Sequence, residues 1–274
     1  MSREHFLQAI AAAGIELATE PRLVDGELER VRDRRDKAGS RNVWVVFYGH
    51  PVPAGAFGSW RTGESHTWRM KPPVGETRGQ RAERRRQLED MHRQRLQEQE
   101  RVQASARARL ASLIKAARPA TDDHPYLKRK AAHAYGLLQL RDMLVIVARD
   151  ASGTAHTAQF ISPDGTKRFL TGGRIAGCYF SIGRPARCIF LVEGYCTGAS
   201  VFEATGAGVA VCFSAGNLKP VALALRAKFP ELRLVIAADN DAATPGNPGV
   251  THAIEAAAAA GAVVAVPDFS GVQA

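Results

Sequence analysis

Two short apolar runs, each stopped by acidic residues, constrain this chain more than anything else in it. CIFLV (Cys188 to Val192) ends at Glu193, and LVIAA (Leu234 to Ala238) ends at Asp239, with Asn240 and Asp241 next. Runs of about five apolar residues set between helical patterns read as buried strands of a parallel sheet. Ligands of such sheets bind at the carboxyl ends of the strands, where all three acids fall. Side chains on a strand repeat every second residue, so Asp239 and Asp241 share a side and Asn240 points elsewhere. Three carboxylates massed on one edge repel each other unless a cation sits among them, and oxygen donors suit Mg²⁺. The plain structural alternative is that the two aspartates cap the following loop and Glu193 caps its helix.

The pattern around these acids is βαβαβαβ. After Glu193-Gly194 a helix runs through Phe202, and VAVCF (Val209 to Phe213) leads through Ser214-Ala215-Gly216-Asn217 into a helix ending near Phe229-Pro230. LVIAA leads through a Gly/Pro loop into an alanine-rich helix from about Gly249 to Ala260, and AVVAV (Ala262 to Val266) closes the series. The glycine-bearing turns all follow strands and so collect on one edge. The fold class is α/β, with a four-stranded, mainly parallel, Rossmann-like sheet in residues 188–274.

Upstream the chain changes character three times. Residues 1–75 read as a small, β-rich α+β unit. Phe6, Leu7 and Ile10 predict a short helix that stops at Gly14. Asp25-Gly26 is a hairpin signal, VWVVFY (Val43 to Tyr48) is the strongest local strand, and GAFGSW and SHTWRM add short ones. The aromatics of this unit (Trp44, Phe47, Tyr48, Phe57, Trp60, Trp68) either fill its core, the commoner use, or stack on bases.

Residues 76–118 form a basic helical arm, with twelve Lys or Arg against six Asp or Glu. Apolar residues are too sparse from Leu88 to Val102 for a core-facing stripe, and only Leu110, Leu113, Ile114 and Ala117 regain one. Two readings stay open: a solvated helix laced with pairs such as Arg86 with Asp90, and an arm along a phosphate backbone. Pro119 to Pro125 breaks the helix, and residues 119–187 read as a basic α+β subdomain whose strands are joined by Ser-Gly and Asp-Gly turns. Lys167, Arg168 and Arg174 sit on or beside those turns.

A net charge of +10 points to a polyanion, most simply nucleic acid, with an anionic membrane as the other possibility. No apolar run approaches a membrane span and the N-terminus reads as no signal peptide, so a cytoplasmic location is expected. The four cysteines (Cys178, Cys188, Cys196, Cys212) have no C-x-x-C spacing and read as reduced thiols, not zinc ligands.

Glu193-Gly194 after one strand, Gly216 in FSAGN after the next, and Asp239 with Asp241 in AADND after a third closely resemble the TOPRIM domain. That domain is shared by DnaG-type primases, type IA and type II topoisomerases, OLD-family nucleases and recombination mediators. TKRFLTGGRIAGCYFSIG (Thr166 to Gly183) resembles the lysine-bearing turn and short strand that precede the glutamate in DnaG primases. EGYCTGASVFEATG, the NPG after the aspartates and the N-terminal GAFGSWRTGESHTW look most like primases of phages, plasmids and integrative elements, the TraC-like and P4 alpha-like groups. The chain departs from that pattern at Thr197, where an aspartate is usual. The zinc-binding unit is missing, there is no GxxxxGK[ST] helicase motif, and the late acidic segment survives as Pro267-Asp268-Phe269.

The resemblance implies synthesis of short RNA primers on single-stranded DNA from ribonucleoside triphosphates. Asp239 and Asp241 would hold Mg²⁺, or Mn²⁺ in its place, with Glu193 as a third ligand or a base and Asp268 as a possible further acid. Lys167, Arg168, Arg174 and Lys219, with Gly194 and Gly216, would meet nucleotide or template. A replicative helicase on a separate chain or segment is the expected partner, and a membrane is not. Two rivals remain: a TOPRIM nuclease, with water in place of the primer 3′-hydroxyl, and a non-catalytic single-stranded DNA-binding accessory, which Thr197 keeps open.

Overall fold

The computed structural model describes residues 2–50, 52–59, 64–70, 78–240, 244 and 246–267, with some side chains between 80 and 98 outside the description. The chain forms two compact units, residues 1–97 and 98–274. In the first, α1 (Ser2–Ala12) packs on a four-stranded antiparallel sheet made of β1 (Leu28–Val31), β2 (Val43–Tyr48), β3 (Ala54–Ser59) and β4 (Ser65–Arg69), in that order. The helix stops as its sequence predicts, with Gly14 in the left-handed region at φ 77°. Phe6 is fully buried, its ring 5.3 Å from Phe47, 5.7 Å from Phe57 and 5.4 Å from Trp68.

Asp25-Gly26 turns the chain but closes no hairpin. Residues 21–24 form no strand, and Asp25 bridges Phe47 of β2 in the parallel sense. The Glu29 carboxylate accepts from the backbone N–H of Arg22 at 2.7 Å and of Leu23 at 3.3 Å, and Leu23 has φ 51°. A side chain therefore takes the donors that a strand partner would have used.

One continuous helix, α2 (Arg78–Ala116), runs 39 residues, about 58 Å at the usual rise. Of the expected pairs along it, Arg85–Glu89 forms at 3.8 Å, while the Asp90 side chain of the Arg86–Asp90 pair lies outside the described residues. Its last turns regain the predicted apolar face: Leu110 is buried against Val145, Val147 and Ala158, with Ile114 alongside.

The surface that Leu110 covers is the first sheet of the second unit. β5 (Arg118–Pro119), β6 (Leu138–Leu140), β7 (Met143–Arg149), β8 (Ala155–Ile161) and β9 (Lys167–Phe169) are all antiparallel and lie in sequence order. A short α3 (Pro125–Lys130) precedes β6, started by a proline and capped by His124, whose Nδ1 accepts from the Tyr126 N–H. The opposite face of this sheet, through Leu144, Ile146 and Ile161, joins the core beneath the final sheet.

That final sheet holds β10 (Phe180–Ile182), β11 (Cys188–Val192), β12 (Gly208–Val211), β13 (Arg233–Ala237) and β14 (Val263–Ala265), in spatial order β10-β12-β11-β13-β14. The helices between are α4 (Tyr195–Thr205), α5 (Ala215–Lys228) and α6 (Pro248–Ala260). β11 to β14 are parallel, as expected, and a fifth strand is added: β10 runs antiparallel along β12 and covers what would have been an edge. Side chains alternate as a doubly covered sheet requires. Ile189, Leu191, Ala210, Leu234 and Ile236 face α5 and α6, while Val192, Val209 and Val211 face α4. Helix α4 lies close because residue 198 is glycine; a Cβ there would come within 2.9 Å of Val211. Among the described residues no helix is long and apolar enough to cross a membrane.

Candidate active site at the carboxyl edge of the parallel sheet

Strand order decides where a ligand can enter. The chain leaves β11 for α4 on one face and β13 for α6 on the other, so a crevice opens between two strands that are direct neighbours. The last rung of their ladder pairs Leu191 with Ile236. Glu193 lies just past the end of one strand and Asp239 just past the end of the other, both half-buried.

The Oε1 atom of Glu193 is shielded from solvent. The charge of Glu193 reaches Cys212, the residue after β12, whose amide donates to the Val192 carbonyl at 2.7 Å. Burial first, and then the Glu193 carboxylate, push the Cys212 thiol well above its ordinary pKa. Cys212 therefore stays neutral, and the donors at this edge are carboxylate oxygens, which suit a hard divalent ion. All four cysteines are free, Cys178 and Cys212 buried, Cys188 and Cys196 half-buried.

Among the described residues, neither acid is itself the N-cap of a helix. The N-cap of α4 is Gly194 and that of α6 is Asn247, and neither helix has a side-chain cap bond. Next to Asp239, the Asn240 Nδ2 donates to the Pro267 carbonyl at 3.3 Å, and its Oδ1 accepts from Asn247 at 2.9 Å. Asp241 and Asp268 lie outside the described residues. Among the described residues no three His, Cys, Asp or Glu side chains form a metal-holding group, so Glu193 and Asp239 are the two acids placed at this edge.

Gly194 is the N-cap of α4 and Gly216 the second residue of α5, each at the start of a helix that follows a strand. A Cβ on Gly216 would meet nothing within 4 Å, and one on Gly194 only Thr197 Oγ1 at 3.7 Å. Neither has a positive φ, so neither packing nor backbone geometry demands glycine at either place. Open space beside the first turn is what the two share. Thr197 is exposed in the first turn of α4, and Lys219 is exposed on α5.

Lys167 and Arg168 are exposed on β9, an edge strand. The next residue, Phe169, packs edge-on against Phe213, with ring centroids 5.5 Å apart, and Phe213 directly follows Cys212. Phe213 has φ 73°, a strained conformation for a bulky side chain, in the turn between β12 and α5. Nothing in VCFSAGN signals it. Lys167 Nζ also lies 6.0 Å over the ring of Tyr126, whose hydroxyl accepts from Cys196 Sγ at 3.4 Å in the first turn of α4. Burial pushes the Tyr126 hydroxyl far above its usual pKa. Tyr126 and Arg129, whose guanidinium sits 5.8 Å over the same ring, were given no role by the sequence. The one signal is the basic run within the proline-started helix, YLKRK.

Arg174 is committed elsewhere. Its Nη2 lies 3.0 Å from Asp150 Oδ2 and 2.7 Å from His156 Nε2. Burial opposes the Asp150 charge, but hydrogen bonds from Ser152, His156 and Thr154 outweigh it and hold the carboxyl well below the usual range. Of the four basic residues in the predicted set, Arg174 is the one tied to an internal carboxylate.

A family match falls on the segment that carries this edge. Residues 188–270 match the Toprim domain family. Across 97% of its length the chain is 34% identical to the DNA primase TraC of Escherichia coli, and across 98% it is 32% identical to another DNA primase TraC of Escherichia coli. It spans 26% of the length of the first relative and 20% of the second. Among solved structures it is similar to the primase fragment of the bacteriophage T7 primase-helicase protein, at 13% identity over 56% of this chain and 66% of that one. The TM-score there is 0.41. Residues 188–270 form a Toprim domain, in a chain homologous nearly end to end to one segment of the TraC primases.

Proposed function

We propose that this chain carries the catalytic core of a primase, a metal-dependent nucleotidyltransferase. It joins ribonucleoside triphosphates into short RNA primers on single-stranded DNA in the replication of a plasmid, phage or other mobile element. The observation that carries the reading is the position of Glu193 and Asp239, at the ends of neighbouring parallel strands whose following helices leave to opposite faces. Similarity to two proteins called DNA primase supports it over the other chemistries of Toprim domains.

Glu193 and Asp239, with Asp241, would hold Mg²⁺, or Mn²⁺ as the alternative. A divalent ion bound there supplies neutralisation of the triphosphate charge and of the departing oxygen. The rest falls to the chain itself. Tyr195 is buried and donates its hydroxyl to the His133 carbonyl at 2.8 Å, which fixes the first turn of α4 and with it the approach of Glu193. Lys167, Arg168 and Lys219 are exposed cations suited to template or nucleotide phosphates. The start of α5, with open space at Gly216, favours an anion through its peptide dipoles. Arg174 would act indirectly, by bracing the β7–β8 turn through Asp150. A helicase on a separate chain or segment and a cytoplasmic setting complete the proposal.

The test is incorporation of labelled ribonucleotides on single-stranded DNA. The expected result is short, template-dependent RNA that requires Mg²⁺ and is absent in chelator or on duplex DNA. Cleavage of the DNA instead would make the site a nuclease. Binding without either reaction would leave an accessory protein, the outcome that Thr197 keeps open.

A further inference from the structure

Asn217, the third residue of α5, is 4% exposed, and both ends of its carboxamide are bonded. The Nδ2 group donates to two backbone carbonyls, Cys212 at 2.8 Å and Cys178 at 2.9 Å, and Oδ1 accepts from the Gly177 N–H at 2.8 Å. Two acceptors on one side and a donor on the other fix which way the amide is turned. These partners belong to two separate segments. Cys212 follows β12, whereas Gly177 and Cys178 lie in the turn before β10, and Tyr179 just beyond them bridges Arg149 of β7. One buried side chain thus joins the carboxyl end of a parallel strand to a turn anchored on the antiparallel sheet.

Holding the Cys212 carbonyl also sets the residue after it. That carbonyl belongs to the peptide leading into Phe213, whose φ of 73° is costly for a bulky side chain. Such a conformation persists only where its surroundings over-determine it. Asn217 supplies that constraint by fixing the peptide plane on the N-terminal side of Phe213. The strained backbone aims the Phe213 ring at Phe169 of β9, which it meets edge-on at 5.5 Å. Side chains on a strand alternate, so Lys167 shares a side of β9 with Phe169 while Arg168 takes the other. Register agrees: Lys167 pairs with Ile161, which faces the core beneath the parallel sheet, and Arg168 with Phe160, which packs on the α2 side.

We infer that Asn217 is a positioning residue: through Phe213 and Phe169 it sets where the Lys167 ammonium stands beside the acid edge, and Lys167 there takes a phosphate. The side of β9 that carries Lys167 faces that edge. Lys167 Nζ lies 6.0 Å over the Tyr126 ring, and the Tyr126 hydroxyl meets Cys196 in the first turn of α4, next to Glu193. β9 has three residues and pairs with β8 alone, so a contact from outside the sheet weighs heavily in its placement. An exposed ammonium on a long stem is a point charge suited to phosphate oxygens, and its grip depends on where the strand puts it.

The inference rests on the proposed function only in taking phosphate as the ligand of Lys167. Two probes separate its sources: ATP with Mn²⁺, followed by calorimetry, and a labelled oligothymidylate without metal, followed by anisotropy. Lys167→Gln is expected to weaken at least one of them about fivefold or more, and Asn217→Ala the same one by a similar factor. Residues acting through one chain of contacts are not additive, so the double variant is expected to stay within about twofold of the weaker-binding single variant. With Arg168→Gln, on the other side of the strand, the losses are expected to multiply. A residue that merely stabilised the fold would add its loss to either cation. If Asn217→Ala does not fold, Phe213→Ala takes its place, and Phe213→Tyr, which keeps the ring, is expected to restore affinity. Loss with ATP alone assigns the triphosphate, and loss with oligothymidylate alone assigns the strand. Wild-type affinity for both probes in Lys167→Gln or in Asn217→Ala, or losses from the two that multiply, overturn the inference. Absence of primer synthesis by the wild type would remove the primase reading and leave this coupling readable in binding alone.

Discussion

The strands β11 (CIFLV) and β2 (VWVVFY) are both apolar runs in which buried and half-buried positions alternate, apart from the buried Val192 that ends β11, so what separates them is the sheet each sits in. The first strand sits in a sheet covered on both faces, the second in a sheet covered by α1 on one face. Double coverage leaves polar chemistry nowhere to go except the strand ends, and Glu193 and Asp239 occupy those ends. Single coverage leaves a face, and Trp44, Tyr48, Arg30 and Arg69 occupy that face. The same β propensity thus delivers an edge site in one sheet and a flat surface in the other.

The largest effect that sharpens this contrast is on turnover. Glu193→Gln and Asp239→Asn are each expected to lower ribonucleotide incorporation by about a hundredfold or more with an unchanged circular dichroism spectrum. Wild-type turnover in either variant, or a lost spectrum, would show that the edge acids serve the fold rather than the reaction.

Stability separates the sheets by a smaller margin. Leu191→Ala opens a cavity among Ile189, Ile236 and Leu234 and is expected to cost about 2–5 kcal/mol in urea unfolding. Val46→Ala, half-buried on the outer face, is expected to cost about 1 kcal/mol or less. Comparable costs would show that something packs on that face as tightly as α5 and α6 pack on β11.

Much of the Toprim segment was legible because its signals are local. Five-residue apolar runs, acids at their ends and glycines after them mark strand, edge and turn without reference to distant residues. The fifth strand was harder, since Phe180–Ile182 is short and gains its identity only by pairing with Val209–Val211. Asp25-Gly26 read as a hairpin because turn chemistry is local, yet the Glu29 side chain removed the partner strand. Phe213 at φ 73° and the stack of Lys167 over Tyr126 were invisible for a similar reason. Each depends on residues about forty positions apart, Phe169 with Phe213 and Tyr126 with Lys167. Gly172-Gly173 makes Arg174 a candidate ligand cation, and only the fold shows Asp150 beside it.

The central claim is that Glu193 and Asp239 serve a bound cation rather than the fold. Thermal unfolding of the wild type, Glu193→Gln and Asp239→Asn, each with and without Mn²⁺, addresses it most directly. A ligand that binds only the folded state raises the melting temperature by mass action. The account predicts that Mn²⁺ raises it in the wild type and not in the variants, while without Mn²⁺ the variants melt no lower than the wild type, since a repelling charge has been removed. Variants that melt well below the wild type in metal-free buffer, with the same Mn²⁺ response in all three proteins, would contradict it.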